Sequence, residues 1–177
     1  MIQKLRVKFI TASMLSLALV LLVILGGVNA MSYQKVVRDA DRILALLSEN
    51  RGVFPQQTPP DDRGGKPGPI PVLGHGISPE TPFESRFFSV LLNEKGQVLQ
   101  SDTGQIAAVD DQSAGEMAQA VWSSGNASGF QGDYRYIRAA EAEGTRFIFV
   151  DCGRSLSNFR TTLIASVLVA LAGVLAV

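Results

Sequence analysis

The sequence has little of the chemistry that catalytic sites require. It contains one cysteine, Cys152, so no disulfide can form within the chain, and one histidine, His75. These residues cannot supply a Cys/His metal site or a credible Ser-His-Asp triad. We interpret Cys152 as a small buried side chain, with an intermolecular bridge as the alternative, and His75 as a solvated loop residue. The sequence therefore predicts no catalytic residue and no metal ligand.

Motifs for phosphate and cation binding are also missing. Gly64-Gly65-Lys66 is followed by Pro67 in a proline-rich stretch, whereas a Walker loop lies between a strand and a helix. The pairs Asp61-Asp62 and Asp110-Asp111 offer few of the six or more oxygen ligands that a hard cation needs. We interpret both pairs as parts of solvated loops.

Charge is absent from two apolar runs near the ends of the sequence. Residues 9–28 and 161–177 contain no Asp, Glu, Lys or Arg, and a membrane-spanning helix needs about 20 apolar residues. We predict a first transmembrane helix over residues 9–29 and a helix over residues 155–177 that enters a second one. Because the second run stops at Val177, we expect this sequence to be the front part of a longer chain.

The charges around the first run predict its orientation. Three basic residues precede it without an acidic one: Lys4, Arg6 and Lys8. The positive-inside rule therefore places residues 1–8 in the cytoplasm. All 16 acidic residues follow the first run and precede the second, so we expect residues 30–160 to lie outside a bacterial cell membrane, with no nucleic-acid partner. Cleavage of a signal peptide after Val28-Asn29-Ala30 is the alternative, which the length of the apolar run disfavours.

Residues 30–51 predict an amphipathic helix that continues the first span. Its apolar residues recur at helical spacing and form one stripe: Val36, Val37, Ala40, Ile43, Leu44 and Leu47. The stripe needs a cover, either the domain that follows or the same helix of a second subunit, and we expect a homodimer. Gly52 and Pro55 should end the helix. Residues 52–82 contain all eight prolines and are predicted to form a loop or linker.

Residues 83–154 predict one α+β domain with a PAS-like antiparallel sheet. The pattern indicates strands over residues 86–92 and 97–102, a helix over residues 113–124 with a capping box at Ser113 and Glu116, and strands over residues 129–140 and 145–152. The first and last strands are apolar on both faces and the other two are mixed. The predicted order in the sheet is therefore second, first, last, third. Gly153 should end the last strand, and the final helix should begin near Ser155.

Two short segments of this domain are candidate functional sites. Tyr134 and Tyr136 project from one face of the third strand and Arg135 from the other, because strand side chains alternate. They are candidate ligand-binding residues for a small anion, and an ordinary core edge with one surface charge is the alternative. The second candidate is a signal joint between the last strand and the final helix: Asp151, Cys152, Gly153 and Arg154.

Three segments resemble the N-terminal part of bacterial sensor histidine kinases: Arg86 to Val90, Gly129 to Tyr136, and Phe147 to Cys152 ahead of a membrane helix. The resemblance implies a PAS-like or Cache-like sensor domain between two spans. It also implies a cytoplasmic part beyond this sequence, with a dimerisation helix, a phosphoacceptor histidine and a kinase domain that uses ATP and magnesium. The implied partners are a response regulator and an unknown small-molecule or envelope signal. No catalytic residue is carried over, because none of those parts lies in this sequence.

Other classes of protein share the same two-span layout. A chemotaxis receptor and a membrane-bound nucleotide cyclase are the receptor alternatives, and a structural membrane protein without a signalling partner is the third. The residues that follow Val177 would distinguish these classes.

Overall fold

The computed structural model describes residues 2–55, 78 and 80–175. Its helices and strands follow one another as α1 (Ile2–Glu49), α2 (Thr81–Glu84), β1 (Phe87–Leu92), β2 (Val98–Asp102), α3 (Asp111–Ser124), β3 (Ser128–Gln131), β4 (Tyr134–Glu141), β5 (Gly144–Asp151) and α4 (Gly153–Leu175). The chain divides into two compact units: Met1–Val37 with Arg154–Val177, and Arg38–Gly153. We call them the helical unit and the sheet unit.

The sheet unit is built on five antiparallel strands in the order β2-β1-β5-β4-β3. This confirms the α+β class, the long N-terminal helix and the predicted neighbours of each strand. The single strand expected over residues 129–140 is wrong, because the chain reverses there. Gly132, with φ of 62°, turns the chain between β3 and β4, and only glycine adopts such a conformation without strain.

One face of the sheet packs against α3. Phe88 and Phe149 stack with their ring centroids 4.6 Å apart, and Ala118 and Val121 of α3 are buried in the same cluster. Met117 and Trp122 of the same helix also pack against the cluster. This face of the sheet unit is a continuous apolar core.

The N-terminal cap of α3 differs from the prediction. Asp110, rather than Ser113, is the cap, and its Oδ1 accepts a hydrogen bond of 2.8 Å from the backbone N–H of Ser113. Hydrogen bonds from Ser113 hold the pKa of the Asp110 carboxyl below its ordinary value. Ser113 therefore occupies the third helical position, and the predicted capping box with Glu116 is wrong. At the other end, Gly125 adopts φ of 72° and closes the helix as expected.

The opposite face of the sheet packs against the last part of α1. Leu44 and Leu47 are 1% and 0% exposed and lie in one cluster with Phe87, Ile148 and Val150. Burial of each leucine contributes about 2 kcal/mol. The domain that follows the helix is therefore the cover for this part of the predicted stripe.

A tight turn ends α1 and begins the segment after it. The helix stops at Glu49, and the backbone N–H of Gly52 donates to the Leu47 carbonyl at 2.7 Å. Gly52 has φ of 83°, and a Cβ there would lie 2.7 Å from Ser89 Oγ. Both its conformation and its close packing therefore require glycine.

Most of the predicted loop over residues 52–82 falls outside the described residues, and so do His75, Asp61, Asp62 and the Gly64-Gly65-Lys66 segment. The end of that range forms the single helical turn α2.

The helical unit contains the two apolar segments. The helices over Lys8–Glu49 and Gly153–Gly173 are each long and apolar enough to cross a membrane. Within this unit the rings of Tyr33 and Phe159 pack with centroids 5.7 Å apart. The final helix begins at Gly153, two residues before the predicted start.

Candidate functional site

Arg135 joins two elements of the sheet unit. It lies on the α1 face of β4, and its guanidinium forms a two-pronged ion pair with Asp41 of α1. Nε lies 2.8 Å from Oδ1 and Nη2 lies 3.2 Å from Oδ2. The guanidinium also lies over the Phe130 ring of β3, 5.1 Å from its centroid. The Arg135 side chain is 16% exposed, so the pair fixes the edge of the sheet to the helix in a specific geometry.

Tyr134 and Tyr136 lie on the other face of β4. Tyr136 is 4% exposed and packs against Phe149. Tyr134 meets Phe88 edge to face, with centroids 5.5 Å apart. Burial, followed by the charges of nearby Asp151 and Asp133, raises the pKa of Tyr134, which keeps its phenol protonated. The two tyrosines are thus parts of the core shared with α3.

The three candidate ligand residues therefore do not converge on one space. The tyrosines face the α3 core, whereas Arg135 faces α1 and is paired there. Their placement agrees with the strand alternation that the sequence predicts. Their role in ligand binding stays a prediction.

A single residue of the signal joint, Cys152, separates β5 from α4, and hydrogen bonds hold the joint on both sides. The backbone N–H of Asp151 donates to the Arg86 carbonyl at 2.9 Å, just ahead of β1. The backbone N–H of Cys152 donates to the Asp133 carbonyl at 2.9 Å, just ahead of β4. The Asp151 carboxylate accepts a 2.7 Å bond from the N–H of Gly153, the first residue of α4. Gly153 and the two residues before it are thus held at the beginnings of β1 and β4.

Cys152 is buried at the centre of the joint and is free. Its Sγ lies 3.7 Å from the Val150 carbonyl, to which the thiol donates. Burial raises the pKa of the thiol, and a hydrogen bond from the backbone N–H of Arg135 offsets part of this shift. The thiol is therefore protonated and unreactive at neutral pH. Arg154, the last residue of the predicted joint, is exposed in the first turn of α4.

Arg135 thus lies next to both the helix and the joint. Its side chain pairs with Asp41 of α1, and it lies opposite Val150 of β5, two residues before Cys152. Within the sheet unit, Arg135 therefore lies between the last part of α1 and the signal joint.

A second buried arginine lies on the same face of the sheet and was not expected. Arg146 is 7% exposed. Its guanidinium pairs with the Glu141 carboxylate, with Nη2 3.2 Å from Oε2, and donates to Ser89 Oγ at 3.2 Å. The alternation of side chains along β5 could have indicated this position, because Arg146 lies on the same face of the strand as the buried Ile148 and Val150. No pattern in the sequence indicated that Asp41 pairs with Arg135, since 94 positions separate the two residues.

Among the residues that the structure describes, no three or more His, Cys, Asp or Glu side chains lie together as a metal site would require. No protein-family model, curated protein or solved structure matches this chain. The family, cofactor and partner predictions therefore rest on the resemblance in the sequence and stay predictions.

Proposed function

We propose that the sheet unit senses a signal outside a bacterial cell and that the signal joint passes it through a second membrane span to a histidine kinase domain. The observation that carries this proposal is the joint itself. One residue, Cys152, separates β5 from α4. Two backbone hydrogen bonds tie the joint to Arg86 and Asp133, and a third links Gly153 with Asp151 inside the joint. Because so little backbone lies between β5 and α4, a displacement of β5 reaches the helix before the connecting residues can absorb it.

The sheet order supports a PAS-like or Cache-like assignment for this domain. The edge strands of the sheet are β2 and β3. Strands β1 and β5 lie side by side inside the sheet and are almost fully buried. The first strand thus lies beside the last, and a long helix covers one face. The last part of α1 packs against β1 and β5, and α4 begins two residues after β5 ends.

The mechanism is a shift between two packings of the sheet unit. A ligand can change their ratio only by its difference in affinity for the two states, and a tenfold difference is worth about 1.4 kcal/mol. The Arg135–Asp41 pair is the contact best placed to differ between the states, because it joins α1 to the strand that supports the joint. The stimulus is an unknown small molecule or envelope signal.

The remaining features follow the same proposal. Lys4, Arg6 and Lys8 hold the N-terminus in the cytoplasm, and the protein acts as a homodimer. The kinase domain uses ATP and magnesium and transfers the phosphoryl group to a response regulator.

Insertion of four Gly/Ser residues after Gly153 tests the joint. In the full-length parent protein, we expect the basal kinase activity to remain and its response to the stimulus to be lost. The matched control is the same insertion between Ala107 and Ala108, which are exposed in a loop. A response that survives the first insertion as well as the second would contradict the role of the joint.

Two observations separate this function from its alternatives. Reporter fusions at the exposed Gln112 should report a location outside the cytosol, and a cytosolic location would overturn the receptor proposal altogether. The coding sequence after Val177 distinguishes a phosphoacceptor histidine and kinase domain from the heptads of a chemotaxis receptor, from a cyclase domain, or from a structural protein without either.

A further inference from the structure

The helical unit contains a groove between its two apolar helices. Beyond the contact of Tyr33 with Phe159, α1 and α4 leave an apolar space of about 450 Å³. We call it the helix groove. Two polar side chains, those of Asn29 and Ser166, line it among leucines, alanines, Val167 and Gly26.

The amide of Asn29 is incompletely satisfied. Its Nδ2 donates to the Leu25 carbonyl at 2.8 Å. Its Oδ1 is buried and has no hydrogen-bond partner among the described residues. A buried acceptor without a donor is unfavourable, and in a bilayer no water replaces the missing bond.

The terminal torsion of asparagine is soft. Rotation about it would turn Oδ1 toward the groove, at the loss of the hydrogen bond from Nδ2 to the Leu25 carbonyl. This rotation does not leave the Leu25 carbonyl unpaired. In the helix, this carbonyl also accepts a hydrogen bond from the backbone N–H of Asn29, four residues later.

Gly26 gives a second, independent indication that something else occupies the groove. A Cβ added at Gly26 would meet no atom within 4 Å, and the same is true of Gly27. Contacts within the chain therefore do not require glycine at either position, although glycine is unfavourable inside a helix. Small residues at such positions allow the backbone of another membrane helix to approach closely.

We propose that a second copy of this chain occupies the helix groove and that the Asn29 amides of the two copies hydrogen-bond to each other. An amide carries both donors and an acceptor, so the same residue on a two-fold related copy satisfies each group reciprocally. A lipid acyl chain could fill the space but offers no donor to Oδ1. The inference rests on the membrane placement in the proposed function, but on neither its kinase nor its ligand.

The test measures association of the whole 177-residue chain in phosphatidylcholine vesicles. Copies labelled at the N-terminus with donor or acceptor fluorophores should show energy transfer that falls as lipid is added. Asn29→Leu should raise the dissociation constant about tenfold, because two hydrogen bonds are lost. Gly26→Leu, which fills the groove, should weaken association at least as much, and Asn29→Gln should retain most of it.

Thr162→Val is the matched control. It also removes a polar group from the helical unit, but one whose hydroxyl is already satisfied by the Asn158 carbonyl at 2.9 Å, so association should not change. The proposal is overturned if the inserted chain shows no energy transfer at any dilution, as expected if an acyl chain fills the groove. It is also overturned if Asn29→Leu and Gly26→Leu associate like the unmodified chain. A chain that does not float with the vesicles would overturn the membrane placement as well. Loss of kinase signalling alone would overturn the kinase part of the proposed function and leave the measured association unaffected.

Discussion

The ion pair between Arg135 and Asp41 should contribute measurably to the stability of the sheet unit. The two side chains are 16% and 45% exposed, so solvent screens the pair in part. Exposed pairs contribute about 0.2–1 kcal/mol, and two-pronged geometry raises the value toward the upper end. We therefore expect a coupling energy of about 1 kcal/mol.

A double-mutant cycle isolates this coupling from the other contacts of Arg135. The variants are Arg135→Met, Asp41→Asn and the pair together. Arg135→Met alone also removes the contact with Phe130, which contributes about 0.5 kcal/mol, and this contribution cancels in the cycle. Unfolding by urea of the whole chain in detergent can be followed by the fluorescence of Trp122, the one tryptophan of the sequence, which packs against the α3 core.

The pair of Asp39 and Arg42 on α1 is the matched control. These side chains are 51% and 55% exposed, with 3.6 Å between the charged atoms. Their coupling should stay below about 0.5 kcal/mol, as for other pairs at this helical spacing. Salt at 1 M shortens the screening length to about 3 Å and should reduce both couplings. A coupling for Arg135 and Asp41 that does not exceed that of the control would refute the reasoning.

Two further predictions concern a glycine and the buried thiol. Gly144→Ala should destabilise the sheet unit by more than about 3 kcal/mol, because a Cβ there would lie 2.1 Å from a backbone oxygen of β1. Gly132→Ala should cost only about 1 kcal/mol, since its φ is also positive but its surroundings are open; equal losses in the same urea assay would contradict this. The thiol of Cys152 has a raised pKa in the fold, so the unfolded chain releases its proton first, near the ordinary value of 9.0. Stability should therefore be full below pH 9 and fall above it, and Cys152→Ala should lessen that fall. Iodoacetamide should modify the native thiol far more slowly than it modifies the thiol in urea.

The sheet was largely predictable because burial along each strand is recorded in its residue types. The apolar runs in β1 and β5 identify the central strands, and the order of their neighbours follows. The turn at Gly132 was missed although Gly132-Asp133 is a common turn sequence. Phe130 before the chain reversal and Tyr134 and Tyr136 after it obscured the turn, since they continue the strand pattern.

The candidate site was less predictable because its contacts join distant parts of the chain. In the sequence, Asp41 falls on the polar side of the amphipathic helix, where nothing in the spacing distinguishes it from its charged neighbours. Its pairing with Arg135 depends on how the helix crosses the sheet. The bonds of Asp133 and Arg86 to the joint likewise depend on strand register, which local sequence does not specify.

The two faces of the sheet pack against different helices, so the residues on each face meet a different structural requirement. The α1 face carries the contacts that connect the helix with the joint, whereas the α3 face carries the aromatic core around Phe88 and Phe149. Under the proposed function, residues on the α3 side could change to suit a new stimulus while the output side stays intact. Substitutions confined to α3 and to the α3 side of the sheet would then leave the contacts of Asp41, Arg135 and the joint in place.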